Sequence, residues 1–159
     1  MEEFKETLLY IIIGIILAFA INQGLAFALS TDMPVVAVES NSMVPTFYKG
    51  DILIIQGQKS YNVGDIIVFS PSPTYTPIVH RIIKINEDGT YQTLGDANNG
   101  VQLPFEKSIR YEQIHGKMIL RIPYLGWIKI GIMEYIVPNI LIIIFILVPI
   151  IAIYIKFWR

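Results

Sequence analysis

Hydrophobic positions are concentrated in two long uncharged runs near the ends of the chain. The first, LLYIIIGIILAFAINQGLAFAL, covers residues 8–29, and as a helix it would extend about 33 Å, enough for a bilayer core of about 30 Å. The second, YIVPNILIIIFILVPIIAIYI, covers residues 135–155, and its two prolines are tolerated in helices that lie in lipid. Both runs therefore predict transmembrane helices.

The first run also permits a second interpretation. Its AFA at residues 26–28 resembles the small-residue cleavage site of a secretory signal peptide. The leader MEEFKE, however, carries three Glu and one Lys, whereas the leader of a signal peptide is basic. The apolar run is also long for a signal peptide. We therefore expect a retained anchor.

The charges beside the second run predict the orientation of the chain. Lys156 and Arg159 follow it, with Trp158 at the expected membrane surface, and basic residues favour the cytoplasmic side. Two spans then place the middle of the chain outside a cell membrane. The predicted organisation is a cytoplasmic tail at 1–7, a transmembrane helix at 8–29, an extracytoplasmic domain at 30–130, a transmembrane helix at 131–156 and a cytoplasmic tail at 157–159.

Between the spans the pattern changes to short β-branched runs: MPVVAVE, DILIIQG, GDIIVFS, PIVHRIIKI, TYQTLG and HGKMILRIP. Clusters of Gly, Pro, Asn and Asp separate them, and NEDGT contains a hairpin signal. Runs such as IIVF are apolar on both faces, which suits a barrel or a folded sheet. The predicted fold class is mainly β, with one compact extracytoplasmic domain.

Composition narrows the chemistry. The chain is 53% hydrophobic with a mean hydropathy of +0.55, too apolar for an ordinary soluble domain of 159 residues. A net charge of −1 gives no reason to expect a nucleic-acid partner. Without cysteine there is no disulfide and no thiolate nucleophile. The scattered histidines and acids lack metal-ligand spacing, so we expect no metal or other cofactor.

The candidate nucleophile is a serine in ESNSMVPTF, residues 39–47. Ser42 precedes MVPT, in which Pro45 restricts the backbone of the residue before it. A serine nucleophile needs a base, and the chain has two histidines. His80 lies in an alternating apolar run, where Ile78 and Ile82 would share its strand face. The other, His115, has no obvious partner in the sequence, and we expect it to face solvent.

A carboxylate would orient and charge-stabilise the imidazole. Asp96 follows a strand in TLGDANNG, where its side chain could point back across the sheet. Asp51 and Asp65 each follow Gly and open an apolar strand, so we interpret both as turn-capping residues. Within the predicted domain at 30–130, the acids that follow His80 are Glu87, Asp88, Asp96, Glu106 and Glu112.

Together, the ordered motifs SNSMVPT, KGDILII, VGDIIVF, VHRI, GDAN and GKMILRIPYLGWI resemble signal peptidase I. This family of membrane-bound serine peptidases removes signal peptides. Most bacterial members have a lysine base before the RI or RV pair. His80 stands there in this chain, as in the archaeal and endoplasmic-reticulum-type branch.

The resemblance implies roles for particular residues. Ser42 would be the nucleophile, His80 the general base and Asp96 the acidic partner. Ser40 would supply an oxyanion donor together with the Ser42 backbone N–H. The branch often carries a second Asp six residues after the first, where this chain has Gln102. Asp96 would then act alone, or Glu106 would substitute for it from a shifted loop.

The resemblance also implies a substrate class, secretory pre-proteins cleaved after Ala-x-Ala at the outer membrane face. An extended substrate would add to the edge of PVVAVES, with shallow pockets lined by Val36, Val38 and Met43. The lipid bilayer and the secretion translocon are the further expected partners. Tyr124 and Trp127 would either enter the membrane interface or pack under the barrel.

Three alternatives remain at this stage. A non-catalytic membrane-tethered β module would act by interaction alone, and Ser42→Ala would leave its function intact. A self-cleaving repressor-type peptidase needs a lysine base and a DNA-binding domain, and the chain offers neither. A dedicated processing enzyme for a few secreted proteins is not separated from a general one by any feature of the sequence.

Overall fold

The computed structural model describes residues 2–157, apart from the side chains at 2, 141, 143, 147, 151–153 and 155. The predicted tail at 157–159 therefore lies largely outside the described residues. The elements in chain order are α1 (Glu2–Ala28), β1 (Val35–Ala37), β2 (Ile52–Gln56), β3 (Ile66–Phe69), β4 (Ile78–Ile85), β5 (Tyr91–Leu94), 3-10 turns at Pro104–Lys107 and Tyr111–Gln113, β6 (Ile114–Ile122), α2 (Trp127–Gly131), a π-helical turn at Ile132–Ile136 and α3 (Ile140–Phe157).

The six strands form one antiparallel sheet in the order β1-β2-β6-β3-β4-β5. Each coincides with one of the six apolar runs, so the predicted mainly β domain is confirmed. The order leaves β1 at one edge and β5 at the other, which makes this a folded sheet with open edges. The Asp-Gly signal marks the β4–β5 hairpin, where Gly89 has a φ of 81°.

Strand β3 explains the runs that are apolar on both faces, because all four of its residues are buried. Ile66 and Val68 pack into a cluster with residues of β2 and of the loop at 39–47. This loop carries the candidate nucleophile Ser42 and is called the nucleophile loop below. Ile67 and Phe69, which point the other way, pack into a second cluster with residues of β4 and β5. The sheet therefore has a core on each face of its central strand.

Helix α1 carries the first predicted span. Within the described residues, Glu3–Ala28 is the one helix long and apolar enough to cross a membrane, and none of it is buried against protein. Its end is tied to the sheet, because Gly57 donates a backbone hydrogen bond of 2.9 Å to the Leu29 carbonyl. The structure therefore joins this apolar helix directly to the β domain.

The second predicted span, at 131–156, is not one continuous helix. The π-helical turn ends at Ile136, and α3 begins only at Ile140. Pro138 accounts for the break, because it lacks an N–H and its ring clashes with a carbonyl one turn earlier. Asn139 donates a side-chain hydrogen bond to the Tyr135 carbonyl at this point. A second membrane span stays a prediction.

Candidate active site

The loop after β1 holds Ser42 over the core. Its neighbour Met43 is only 1% exposed and packs into the cluster beneath the loop. The Met43 carbonyl accepts backbone hydrogen bonds from Thr46 and Phe47, and the Asn41 side chain accepts one from the Lys49 N–H. These contacts fold residues 41–49 into a compact turn, which limits the positions open to the Ser42 hydroxyl.

The predicted serine and histidine meet. His80 Nε2 lies 3.0 Å from Ser42 Oγ, and the histidine is 4% exposed on the central part of β4. Gly95 permits this approach, because a Cβ at that position would stand 2.7 Å from the Ser42 carbonyl oxygen and 2.8 Å from His80 Nε2. A residue without a side chain is therefore required where the strand β5 ends.

The partner of the other ring nitrogen is Glu106. Its carboxylate contacts His80 Nδ1, and the residue is fully buried. The same carboxylate accepts a hydrogen bond of 3.3 Å from the Thr93 hydroxyl and one of 2.8 Å from the Leu103 N–H. The alternative in which Glu106 approaches from a shifted loop thus matches the observed geometry.

Asp96 is not placed against His80, so the expected Asp96–His80 pair requires correction. Its two carboxylate oxygens accept hydrogen bonds of 2.9 and 2.6 Å from the Arg81 guanidinium, and the Thr46 hydroxyl donates another. The hydrogen bonds from Arg81 lower the pKa of Asp96, and the same pair raises the pKa of Arg81. Strand alternation is the reason, because residues 80 and 81 point to opposite faces of β4.

Gln102, at the place of a second family acid, also stays away from the imidazole. Its amide donates a hydrogen bond of 2.8 Å to the carbonyl of Thr93. The side chain therefore ties the loop before the Pro104–Lys107 turn to β5. The turn that follows this loop contains Glu106, whose carboxylate contacts His80.

Ser40 lies beside the nucleophile, with its Oγ 3.2 Å from Ser42 Oγ. An oxyanion formed on a carbonyl attacked by Ser42 would lie within reach of this hydroxyl. The Ser42 backbone N–H has no acceptor among the described residues. The roles of both groups as oxyanion donors stay predictions.

A cleft of about 720 Å³ opens beside the Ser42–His80 pair. Val36 in the edge strand β1 and Val38 just after it line this cleft, together with residues such as Phe47, Ile52 and Ile78. Their contact with substrate stays a prediction. Met43 does not line the cleft. The structure buries that side chain under the loop, so its predicted contact with substrate needs correction.

Three further predictions can be checked outside the cleft. The carboxylates of Asp51 and Asp65 accept hydrogen bonds from the N–H groups of Tyr48 and Asn62, which confirms both as turn-capping residues. His115 is not a solvent-facing side chain without partners, because it contacts Ser70 and Asp32. Sequence analysis missed this contact because the three residues are far apart in the chain.

The Tyr124 and Trp127 side chains are largely exposed, at 75% and 45%. Tyr124 is therefore not packed against the domain, whereas the Trp127 ring packs on Gly50, where a Cβ would overlap the indole Nε1. Trp127 lies under the Lys49 ammonium, which is 5.6 Å from its ring centroid. Within the described residues, no cluster of three or more His, Asp or Glu side chains is suited to hold a metal ion.

Comparison with known proteins points to a peptidase family. Residues 17–119 match the family model described as Peptidase S24-like. The chain is 35% identical over 133 residues to "Signal peptidase complex catalytic subunit sec11" of Dictyostelium discoideum, which covers 77% of this chain and 74% of the relative. It is 35% identical over 127 residues to "Signal peptidase complex catalytic subunit SEC11" of Saccharomyces cerevisiae (strain YJM789), covering 74% and 76%.

The family match begins within α1, ends within β6 and includes the nucleophile loop. The names of the relatives favour a catalytic chain over a non-catalytic module. The chain belongs to the signal peptidase family, in the endoplasmic-reticulum and archaeal type, and is a peptidase.

Proposed function

We propose that this chain is a membrane-anchored serine endopeptidase that removes N-terminal signal peptides from secretory pre-proteins. Ser42 is the nucleophile, His80 the general base, and Glu106, in place of Asp96, the carboxylate that orients the imidazole. The observation that carries the proposal is the chain of contacts from Ser42 Oγ through both nitrogens of His80 to a fully buried carboxylate.

In the acylation step, Ser42 Oγ attacks the carbonyl carbon of the scissile bond, and its proton passes to His80 Nε2. Glu106 holds Nδ1–H and stabilises the imidazolium that forms. The Ser40 hydroxyl and the Ser42 N–H donate hydrogen bonds to the oxyanion. Collapse breaks the C–N bond, and the imidazolium gives its proton to the amine of the departing mature protein.

Deacylation uses the same groups in reverse order. His80 Nε2 removes a proton from a water molecule, which attacks the ester carbonyl and restores the Ser42 hydroxyl. The signal peptide leaves with a new carboxylate. Because the carboxylate of Glu106 is buried and already accepts bonds from Thr93 and the Leu103 N–H, it keeps its position through both steps.

Substrate binding uses the free edge of β1. This strand is hydrogen-bonded to β2 on one side only, so an extended peptide can add along its other side. Val36 and Val38 are two residues apart and line the cleft together. Side chains at alternate substrate positions would meet this apolar surface, which favours small residues in an Ala-x-Ala pattern at the cleavage site.

In this proposal the chain is attached to the cell membrane, and the cleft lies at the outer face of that membrane. The apolar, unburied surface of α1 supports a first span, and the exposed aromatic rings of Tyr124 and Trp127 suit the lipid interface. A second span over 131–156 would return the chain to the cytoplasm, with the domain at 30–130 outside. Bilayer lipid and the translocon that delivers pre-proteins are the proposed further partners.

The test is cleavage of a pre-protein with an Ala-x-Ala site by the full-length chain in detergent micelles. Wild type, Ser42→Ala and His80→Ala would be compared with the control Ser60→Ala, a change at an exposed serine that does not line the cleft. The N-terminus of the product would be sequenced. We expect cleavage after the second alanine by wild type and the control only. Equal cleavage by all four proteins would overturn the proposed nucleophile and base.

A further inference from the structure

A second serine, histidine and aspartate are linked outside the cleft. Ser70 Oγ lies 2.8 Å from His115 Nε2, and His115 Nδ1 lies 2.8 Å and 2.9 Å from the two carboxylate oxygens of Asp32. The order of atoms is the same as at the first site, with the hydroxyl on Nε2 and the carboxylate on Nδ1. A histidine linked in this way to a carboxylate can remove the proton from a serine hydroxyl.

The fold holds these three residues from three different elements. Ser70 follows β3, and its N–H donates a hydrogen bond to the carbonyl of Gln113. Gln113 is the residue before β6, the strand that contains His115. Asp32 follows α1, and the preceding Thr31 hydroxyl donates 2.7 Å to the His115 carbonyl. The His115 side chain is 17% exposed, whereas that of Asp32 is 66% exposed. The imidazole is therefore fixed on both sides, although its carboxylate remains in contact with water.

The three residues line a second cleft of about 690 Å³. Ser42, His80 and Glu106 do not line it. All residues from Ser70 to Pro77 line this cleft, and so do Arg110 and Glu112. Within the part of the chain that the structure describes, the Arg110 guanidinium has no hydrogen-bond or ion-pair partner. An unpaired cation thus lines the same cleft as the histidine-linked serine.

We propose that Ser70 is a second nucleophilic hydroxyl, which accepts the acyl group of a small carboxylic ester bearing an anionic group. Ser70 Oγ bonds to the ester carbonyl carbon, and its proton passes to His115 Nε2. The C–O bond to the alcohol breaks, and the imidazolium returns the proton to the departing alkoxide. Water then hydrolyses the acyl-serine, so the whole reaction is ester hydrolysis.

Arg110 supplies the attraction for the anionic group of the ester. The Ser70 N–H is already used by the Gln113 carbonyl, so it does not serve as an oxyanion donor. The Gln113 side-chain amide is likewise used, by the Pro71 carbonyl. We therefore expect activated esters with good leaving groups to react, and the amide bonds cleaved at Ser42 to be left intact.

The experiment uses the full-length protein in detergent micelles with p-nitrophenyl hemisuccinate as the probe. The background variant is Ser42→Ala, so the first site contributes no acyl-enzyme. We expect succinyl on Ser70 by peptide mass mapping, and release of p-nitrophenol that Ser70→Ala abolishes. His115→Ala should slow this release about 100-fold or more, and Arg110→Ala should slow it for the hemisuccinate but not for p-nitrophenyl acetate.

Ser72→Ala is the matched control, because Ser72 lines the same cleft but has the Thr74 hydroxyl, not a histidine, as its partner. Asp32→Asn gives a second variant at an exposed position if His115→Ala does not fold, and it should also slow acylation. Folding is checked by pre-protein cleavage in the Ser42-intact background, which Ser70→Ala should leave unchanged. No adduct on Ser70, equal adducts on Ser70 and Ser72, or acylation insensitive to both His115→Ala and Asp32→Asn would overturn the proposal.

Discussion

The buried carboxylate of Glu106 contacts Nδ1 of His80, joining β4 to the 3-10 turn at Pro104–Lys107. The neighbouring Arg81 binds a different acid, Asp96, through two hydrogen bonds. The adjacent residues His80 and Arg81 thus bind the two acids on opposite faces of β4. In the proposed mechanism the two acids therefore have different roles, Glu106 in positioning the base and Asp96 in structure.

Glu106→Gln should abolish most activity while it preserves the shape of the side chain. The amide carries no charge to stabilise the imidazolium and favours the wrong tautomer of His80, an effect of about 10⁴-fold in serine peptidase triads. Asp96→Asn should reduce kcat far less. The measurement is kcat and KM for pre-protein cleavage by both variants, and a greater loss of kcat in Asp96→Asn would contradict the assignment.

Asp96 should stabilise the fold in a pH-dependent way. The hydrogen bonds from Arg81 lower its pKa in the folded chain, whereas aspartate in an unfolded chain has a pKa of about 3.9. The stabilisation is therefore complete above about pH 5 and is lost as the pH falls through 3.9 towards the folded value.

The measurement is the thermal unfolding midpoint of wild type and Asp96→Asn in detergent between pH 3 and pH 7. We expect the wild type to be the more stable protein at pH 7, with a difference that shrinks as the pH approaches 3. Glu87→Gln serves as a control, because this exposed carboxylate has no hydrogen-bond or ion-pair partner among the described residues. A difference between wild type and Asp96→Asn that does not change with pH would refute the role given to this ion pair.

Gly95→Ala should separate the serine from its base. The added methyl would stand 2.7 Å from the Ser42 carbonyl oxygen and 2.8 Å from His80 Nε2, closer than real contacts allow. We expect cleavage to fall steeply while the sheet remains folded. Gly131→Ala is the control, since nothing lies within 4 Å of a Cβ there. Full activity in Gly95→Ala would show that the loop accommodates the methyl group.

Ser40→Ala should lower kcat about 100- to 1,000-fold with little change in KM, because an oxyanion donor acts mainly in the transition state. Ser40→Thr retains a hydroxyl and should recover much of the rate. Pre-protein cleavage by the two variants, measured alongside Ser60→Ala, tests this directly. Equal losses in the alanine and threonine variants would indicate a packing role for residue 40.

The amino-acid sequence determined the strands and the apolar helix. Burial in a sheet or in lipid requires a pattern of apolar residues, and that pattern is visible within each local segment of the sequence. The six strands fall on the six apolar runs, including the fully buried β3. Motif order was also enough to nominate Ser42 and His80, which lie 3.0 Å apart between Oγ and Nε2. Turn capping by Asp51 and Asp65 is equally local.

Only the tertiary structure decided which acid serves His80. Leu94 pairs with Arg81 and Thr93 with Ile82, so this register puts Thr93 on the His80 face and directs the chain after Leu94 towards Arg81. Glu106 reaches His80 from a turn that follows β5. The sequence of that turn has no periodic pattern from which the direction of the side chain could be predicted. The Ser70–His115–Asp32 contact likewise depends on the pairing of β3 with β6. The register between strands and the path of the loop that carries Glu106 both depend on tertiary packing. They bring together residues that are far apart in the sequence.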